Sequence, residues 1–130
     1  MNQLPALATL LTVLLLLATL TVTGRARGKY GIKAPATSGH PAFERAYRVQ
    51  MNTIEGSVMF LPALWLAASH GFGGWAGIAG LVWVAGRTWY AVAYWNDAAK
   101  RGPGFAVGML AFLVLLAMAT IGVGRALLVG

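Results

Sequence analysis

The sequence predicts an all-α integral membrane protein, a four-helix bundle, and three observations carry that prediction. The chain of 130 residues is 58% apolar and only 10% charged, far below the roughly 25% charge of a soluble domain, and its mean hydropathy is +0.70. The apolar residues fall in blocks long enough to cross ~30 Å of hydrocarbon as helix. The breaks between blocks hold helix breakers, and two of them hold clustered cations, as loops at a membrane surface do. A chain of this length is expected to form a single domain over residues 1–130.

The uncharged, leucine-dominated run predicts a first helix at about residues 4–23. A cleaved signal peptide would carry cations before the run, whereas Met1, Asn2 and Gln3 are uncharged and the basic cluster follows it. This segment is therefore expected to stay attached, with its amino end outside. Residues 24–41 turn basic and then breaker-rich, with Pro35, Gly39 and Pro41, and read as a loop. The second helix is expected over about 42–69. Its first half holds Glu44, Arg45, Arg48, Gln50, Asn52 and Glu55, and the apolar remainder is too short to span, so part of the polar half must lie at membrane depth. After the uncharged turn at 70–74, a third helix is expected over about 75–96 with one cation, Arg87. The break at 97–104 holds Lys100, Arg101 and Pro103. A fourth span follows at about 105–128, charged only at Arg125. The spacings Gly73/Gly77, Gly77/Gly80 and Gly104/Gly108 are candidates for close helix–helix approach.

Net charge is +7, which in a soluble chain would suggest nucleic acid. Here position decides. Arg25, Arg27, Lys29 and Lys33 share the first loop and Lys100 and Arg101 the third, while the second loop has no Lys or Arg. The positive-inside rule then puts the first and third loops in the cytoplasm and both termini outside, and nucleic acid is not expected as a partner. There is no cysteine, so a disulfide, a thiolate metal site and a protein thiol nucleophile are all excluded. Any sulfur chemistry must use a sulfur brought by a ligand. With three acids, and His40 and His70 on opposite sides of the membrane, no metal site is expected.

Charged groups at membrane depth cost ~2.5–3.5 kcal/mol each on insertion scales and are expected to be paired or used. Arg48, Asn52 and Glu55 fall at i, i+4 and i+7, and Arg87, Tyr90 and Tyr94 at i, i+3 and i+7, so each set shares a helix face. Glu55 and Arg87 come out level in the membrane. Two readings stand for them: a structural ion pair, or direct contact with a ligand. Arg48 and Asn52 lack acidic partners at their depth and read as ligand-binding, although Glu44, one turn away, could pair with Arg48. Tyr90 and Tyr94 could equally be interfacial belt aromatics. Arg27 and Arg101 are topology charges that, with Arg48, could form an anion clamp at the cytoplasmic mouth.

The stretch Phe43-Glu44-Arg45-Ala46-Tyr47-Arg48-Val49-Gln50-Met51-Asn52-Thr53-Ile54-Glu55 resembles the second-helix signature of the MAPEG proteins (membrane-associated proteins in eicosanoid and glutathione metabolism). Gly86-Arg87-Thr88-Trp89-Tyr90 with Tyr94 is similar to that family's third-helix segment. Lys29-Tyr30, Pro35, Gly39 and Pro41 in the first loop, and Ala98-Ala99-Lys100-Arg101 with Gly104-Phe105, look most like the family's glutathione transferases. The resemblance implies a four-helix protomer in a homotrimer, binding glutathione as co-substrate in a crevice between subunits that opens to the cytoplasm. It implies glutathione contacts from Arg48, Asn52, Glu55, Tyr90 and Tyr94, with Arg27 and Gln50 supplied by the neighbouring subunit and Arg101 as the catalytic residue that stabilises the thiolate. One position departs: the residue after the signature glutamate, often tyrosine in the eicosanoid-handling relatives, is Gly56. An aromatic contact to the peptide is then missing, and leukotriene-type specificity is not implied.

The resemblance thus implies a glutathione transferase acting on lipophilic small molecules drawn from the membrane lipids, with room for glutathione-dependent peroxidase activity. The alternative is a non-catalytic lipid- and glutathione-binding scaffold, against which the joint presence of Arg48, Asn52, Glu55 and Arg101 argues. A small four-helix exporter would need an acid within its first helix, and residues 4–23 contain none.

Overall fold

The computed structural model describes residues 3–130, and the chain is helical throughout apart from short connections. Four α-helices follow in order: α1 (Leu4–Tyr30), α2 (Pro41–Ala67), α3 (Gly73–Asn96) and α4 (Gly102–Val129). α2 and α3 are separate helices joined by a tight turn at Ala68–Phe72, in which His70 and Gly71 leave helical backbone angles and the chain folds back on itself. The reversal needs Gly71, whose φ of 100° is open to glycine and strained for other residues. α3 and α4 are joined by a 3₁₀ turn, Ala98–Lys100, whose Ala99 amide donates to the Asp97 side chain.

α1 continues past Thr23, its expected end, to Tyr30. Gly24 does not stop it, because one glycine in a good helix costs only ~1 kcal/mol. Arg27 and Lys29 in the last turn suit the negative end of the helix dipole. The stop comes at Gly31, which takes the left-handed cap conformation at φ 65° and returns its N–H towards Arg27. α2 opens on Pro41 at a first-turn position, with His40 Nδ1 accepting from the Ala42 amide.

α1 and α4 flank the α2–α3 pair on opposite sides. α1 buries a stripe of Ala8, Thr12, Leu15, Thr19 and Thr23, and Thr23 reaches across to the Ala46 carbonyl at 3.1 Å. Phe60 of α2 and Trp83 of α3 stack at 3.8 Å in the centre of the core. Close backbone approach comes at Gly77 against Leu4 and Pro5, Gly104 against Tyr90, and Gly86 against Gly108; Gly73 has no such neighbour. Large apolar side chains cover the outside of α1 and α4, among them Leu10, Leu17, Leu110 and Leu128. Among the described residues two helical stretches are long and apolar enough to cross a membrane, Leu4–Tyr30 and Ala98–Val129.

Candidate functional site

The end of α1, the start of α2, the end of α3 and the start of α4 meet at one end of the molecule. Arg27 lies over the Phe43 ring at 4.8 Å, and Arg45 Nε donates to the Trp95 carbonyl at 3.1 Å. Eight of the ten cations belong to these segments: Arg25, Arg27, Lys29, Lys33, Arg45, Arg48, Lys100 and Arg101. The two acids here are occupied by backbone. Glu44 Oε2 accepts from the Gly39 amide at 3.0 Å, and Asp97 caps Ala99. Glu44 therefore does not form the surface pair with Arg48 considered from the sequence; it folds the first loop onto the helix start. Tyr30 stacks on His40 at 3.7 Å and holds the same loop.

Under that loop lies a polar cleft of about 440 Å³, walled by Thr37, Ser38, Glu44, Tyr47, Arg48, Met51, Asn52 and Glu55. Arg48, Asn52 and Glu55 share it, as their i, i+4, i+7 spacing requires. Gln50 sits about 200° around α2 from Arg48 and does not line the cleft. Arg27 is also turned away, its Nη1 donating to the Ala36 carbonyl at 2.8 Å.

Arg87 lies 4% exposed behind the cleft. Its Nη2 donates to Asn52 Oδ1 at 2.8 Å and to Thr53 Oγ1 at 3.2 Å, and its guanidinium lies over the Tyr90 ring at 4.1 Å. No ion pair joins Arg87 to Glu55 among the described residues, so the structural pair envisaged from the sequence is replaced by an arginine–amide–hydroxyl cluster. The reason is rotational. Thr53 faces α3 and is buried, and Glu55, about 160° away around the helix, is exposed. Arg87 and Glu55 still border one cavity with Asn52. Because a guanidinium only donates, it is the Asn52 oxygen that faces it, and the amide nitrogen is left to donate elsewhere.

From Arg87 a row of contacts runs along α3 to the mouth. Tyr90, 3% exposed, meets Tyr94 edge-on at 5.5 Å, and the Arg101 guanidinium stands 5.7 Å from the Tyr94 ring. Arg101 is exposed and its Nη1 donates to the Ala98 carbonyl at 2.7 Å. The expected residues thus separate into a joined set, Arg48, Asn52, Glu55, Arg87, Tyr90, Tyr94 and Arg101, and two half-buried residues that stand apart from it, Arg27 and Gln50. Thr37, Ser38 and Tyr47 were missed as cleft walls. Tyr47 sits inside the second-helix signature, whereas nothing in the loop composition singled out the other two.

Apolar outer helices and a polar cleft at the cation-rich end are the pattern of a membrane protein. Residues 5–121 match the MAPEG family, and the chain belongs to it. An uncharacterized protein of Synechocystis is 45% identical over 112 residues, 86% of this chain and 82% of its own length. Microsomal glutathione S-transferase 2 of Homo sapiens is 38% identical over 95 residues, 72% of this chain and 65% of that protein. Leukotriene C4 synthase of Cavia porcellus is 38% identical over 119 residues, 82% of this chain and 79% of its own. Members of the family are membrane proteins, and those relatives make glutathione-related activity a family property.

Proposed function

We propose that the chain is a membrane-bound glutathione transferase, working as a homotrimer of four-span protomers, that joins glutathione to lipophilic electrophiles taken from the bilayer. The observation that carries this is the polar cleft in which Arg48, Asn52 and Glu55 converge beside the Arg87–Tyr90–Tyr94–Arg101 row. A tripeptide with two carboxylates and one ammonium asks for such a set: cations for the carboxylates, an acid for the ammonium and an amide between them. Arg48 and Glu55 are exposed and have no ion-pair partner among the described residues, which leaves both available to a ligand. Arg27 and Gln50 do not line their own chain's cleft, which fits service to the cleft of a neighbouring copy. The cations at the cleft end support cytoplasmic first and third loops and external termini.

In the reaction the glutathione thiolate attacks the electrophilic carbon. A C–S bond forms, and the leaving group departs as an anion with the bonding pair; an enone instead takes up a proton at carbon. Arg101, beside Tyr94 at the mouth, acts by holding the thiolate. Arg48 and Glu55 hold charges that do not change during the reaction, so their loss raises KM. With a hydroperoxide the same thiolate would attack the terminal oxygen, breaking the O–O bond and releasing the alcohol, and a second glutathione would turn the resulting sulfenic acid into the disulfide and water.

The test uses the full chain purified in detergent, with glutathione binding by calorimetry and turnover with 1-chloro-2,4-dinitrobenzene. Arg101→Ala is expected to keep binding and to lose thiolate ultraviolet absorbance together with turnover. Loss of both binding and turnover in the unaltered protein would refute the transferase and leave a non-catalytic scaffold. An unchanged thiolate titration in Arg101→Ala would remove Arg101 from the chemistry.

A further inference from the structure

Between α3 and α4, and sharing no residue with the polar cleft, lies an apolar groove of about 390 Å³. Ile78 and Val82 wall it on one side and Leu110 and Val114 on the other, and all four are exposed; Ala79 and Ala111 leave the room between them. Gly108 packs on Gly86 and Gly122 on His70, so the Val107 end of the groove lies at mid-helix and the Met118 end near the α2–α3 turn. From Val107 to Met118 is ~16 Å at ~1.5 Å per residue, close to the ~15 Å that one leaflet contributes to the hydrocarbon core. Trp75 borders the groove at its outer end and is 71% exposed, as aromatics at the headgroup boundary are.

At that end stands Arg125. Val107, Val114, Met118 and Arg125 follow at i, i+7, i+11 and i+18, so the cation continues the groove's own stripe of α4, ~10 Å beyond Met118. A long side chain on a helix leans towards the N-terminus, and the guanidinium lies 5.1 Å from the ring of Phe72, one turn before Trp75. Its N–H donors meet no acceptor and no acid among the described residues. Eight of the other nine cations stand at the cleft end and Arg87 lies behind the cleft. The three acidic side chains, Glu44, Glu55 and Asp97, belong to the cleft and its mouth. The other titratable side chain here is His70, whose Nδ1 is bonded to the Leu66 carbonyl. A comparable apolar groove of about 420 Å³ beside Leu66, Leu116 and Leu127 has no such cation, because Arg125 lies on the far side of α4 from it.

We infer that the α3–α4 groove binds a membrane phospholipid with an anionic headgroup, its phosphate on Arg125 and one acyl chain along the groove. A guanidinium meets a phosphate through two parallel N–H···O bonds. With no acid beside Arg125, a headgroup of net negative charge is favoured over a zwitterionic one, whose ammonium would find no partner. A free phosphate would leave the apolar groove unused, and an uncharged lipid would leave the cation unused; an anionic phospholipid uses both. The site shares no residue with the glutathione cleft and does not depend on the transferase proposed above. On the proposed topology its lipid belongs to the outer leaflet.

The test titrates the full chain in detergent with phosphatidylglycerol carrying one dibrominated acyl chain, whose bromines quench nearby tryptophan. The signal is the quenching of the unaltered protein less that of Trp75→Phe, which removes lipid bound near the other tryptophans. A saturable difference is expected, half-saturating at about fivefold less lipid than with brominated phosphatidylcholine, the weight of one basic residue at an anionic headgroup. Arg125→Gln should bring the two lipids level. Ala79→Phe, which fills the groove from its floor, should abolish saturation by both; if it does not fold, Val114→Phe on the exposed wall takes its place. The absence of a saturable difference, equal half-saturation by the two lipids in the unaltered protein, or a preference that survives Arg125→Gln overturns the site. So does saturation that persists unchanged with the groove filled. Full displacement of the lipid by millimolar inorganic phosphate at constant ionic strength also overturns it, since the acyl chain would then contribute nothing.

Discussion

Asn52→Ala should destabilise the protein more than any neutralisation of Glu55, although Glu55 lines the same cavity as Asn52 and Arg87. Asn52 Oδ1 accepts at 2.8 Å from a guanidinium that is 4% exposed. A hydrogen bond to a buried charge contributes ~1.5–3 kcal/mol. Thr53 Oγ1, at 3.2 Å, remains as a longer second acceptor, and Arg87 Nε already lacks one. The expected cost of Asn52→Ala is therefore ~2 kcal/mol, with Thr53→Val at ~1 kcal/mol. Glu55→Gln removes no contact within the chain and should stay within ~0.5 kcal/mol, as surface substitutions do. Unfolding in mixed micelles, followed by tryptophan fluorescence during a titration with dodecyl sulfate, measures each difference. Asn52→Leu combined with Arg87→Leu should cost less than the sum of the single changes, a coupling of ~1–2 kcal/mol. If Glu55→Gln costs as much as Asn52→Ala, the carboxylate is the true partner of Arg87 and the rotational argument about α2 fails.

Gly86→Ala should cost ~1–3 kcal/mol, because its Cβ would lie 2.6 Å from the Gly108 nitrogen and push α4 off α3; Gly24→Ala, facing open space, should cost nothing in the same unfolding assay. With no native cysteine, a single cysteine at Ser38 should react with a thiol reagent only after the membrane is permeabilised; labelling from outside would invert the topology. When Arg48→Ala and Gln50→Ala chains are co-expressed in equal amounts, about a quarter of all sites in the proposed homotrimer, one site in every mixed trimer, should regain both side chains if the two come from different copies. Turnover no higher than that of either variant alone would show that one chain supplies both.

Much of this was legible in the sequence because periodicity is a local property. The Arg48, Asn52, Glu55 spacing requires a shared face, and those three do border one cleft. What the spacing does not contain is how the face is turned relative to α3. Charge complementarity favours Glu55 as the partner of Arg87, but packing of Thr53 and Ser57 into the core rotates α2 so that Asn52 arrives first. The end of α1 was misjudged for a different reason. A basic segment with glycine reads as loop by composition, yet cations belong at a helix C-terminus, and only Gly31 has the left-handed backbone that ends it. The cavity bordered by Asn52, Glu55 and Arg87 had no sequence signal, since it depends on an absent side chain at Gly56 and on residues from three helices.

The exposure of Arg48, Glu55 and Arg101 in the isolated chain has a catalytic meaning on the proposed reading. A free thiol titrates near ~8.5, so holding it mostly as thiolate at neutral pH needs a drop of roughly two units, or ~2.7 kcal/mol. A cation ~3.5 Å from the sulfur supplies only ~1.2 kcal/mol in bulk water but ~4.7 kcal/mol at an effective dielectric of ~20. Arg101 on an open chain lies in the first regime and is too weak. The missing change in dielectric has to come from a surface that closes over the cleft, and the chain's own α2 offers one. Arg48 lines the cleft, while Gln50, about 200° further round, lies on the opposite face of α2. A copy docked by that opposite face would cover its neighbour's cleft, bring Arg27 and Gln50 to the peptide and dry the surroundings of Arg101 in a single step. Thiolate formation would then depend on assembly, and a dissociated subunit would still meet glutathione through Arg48 and Glu55 without activating it.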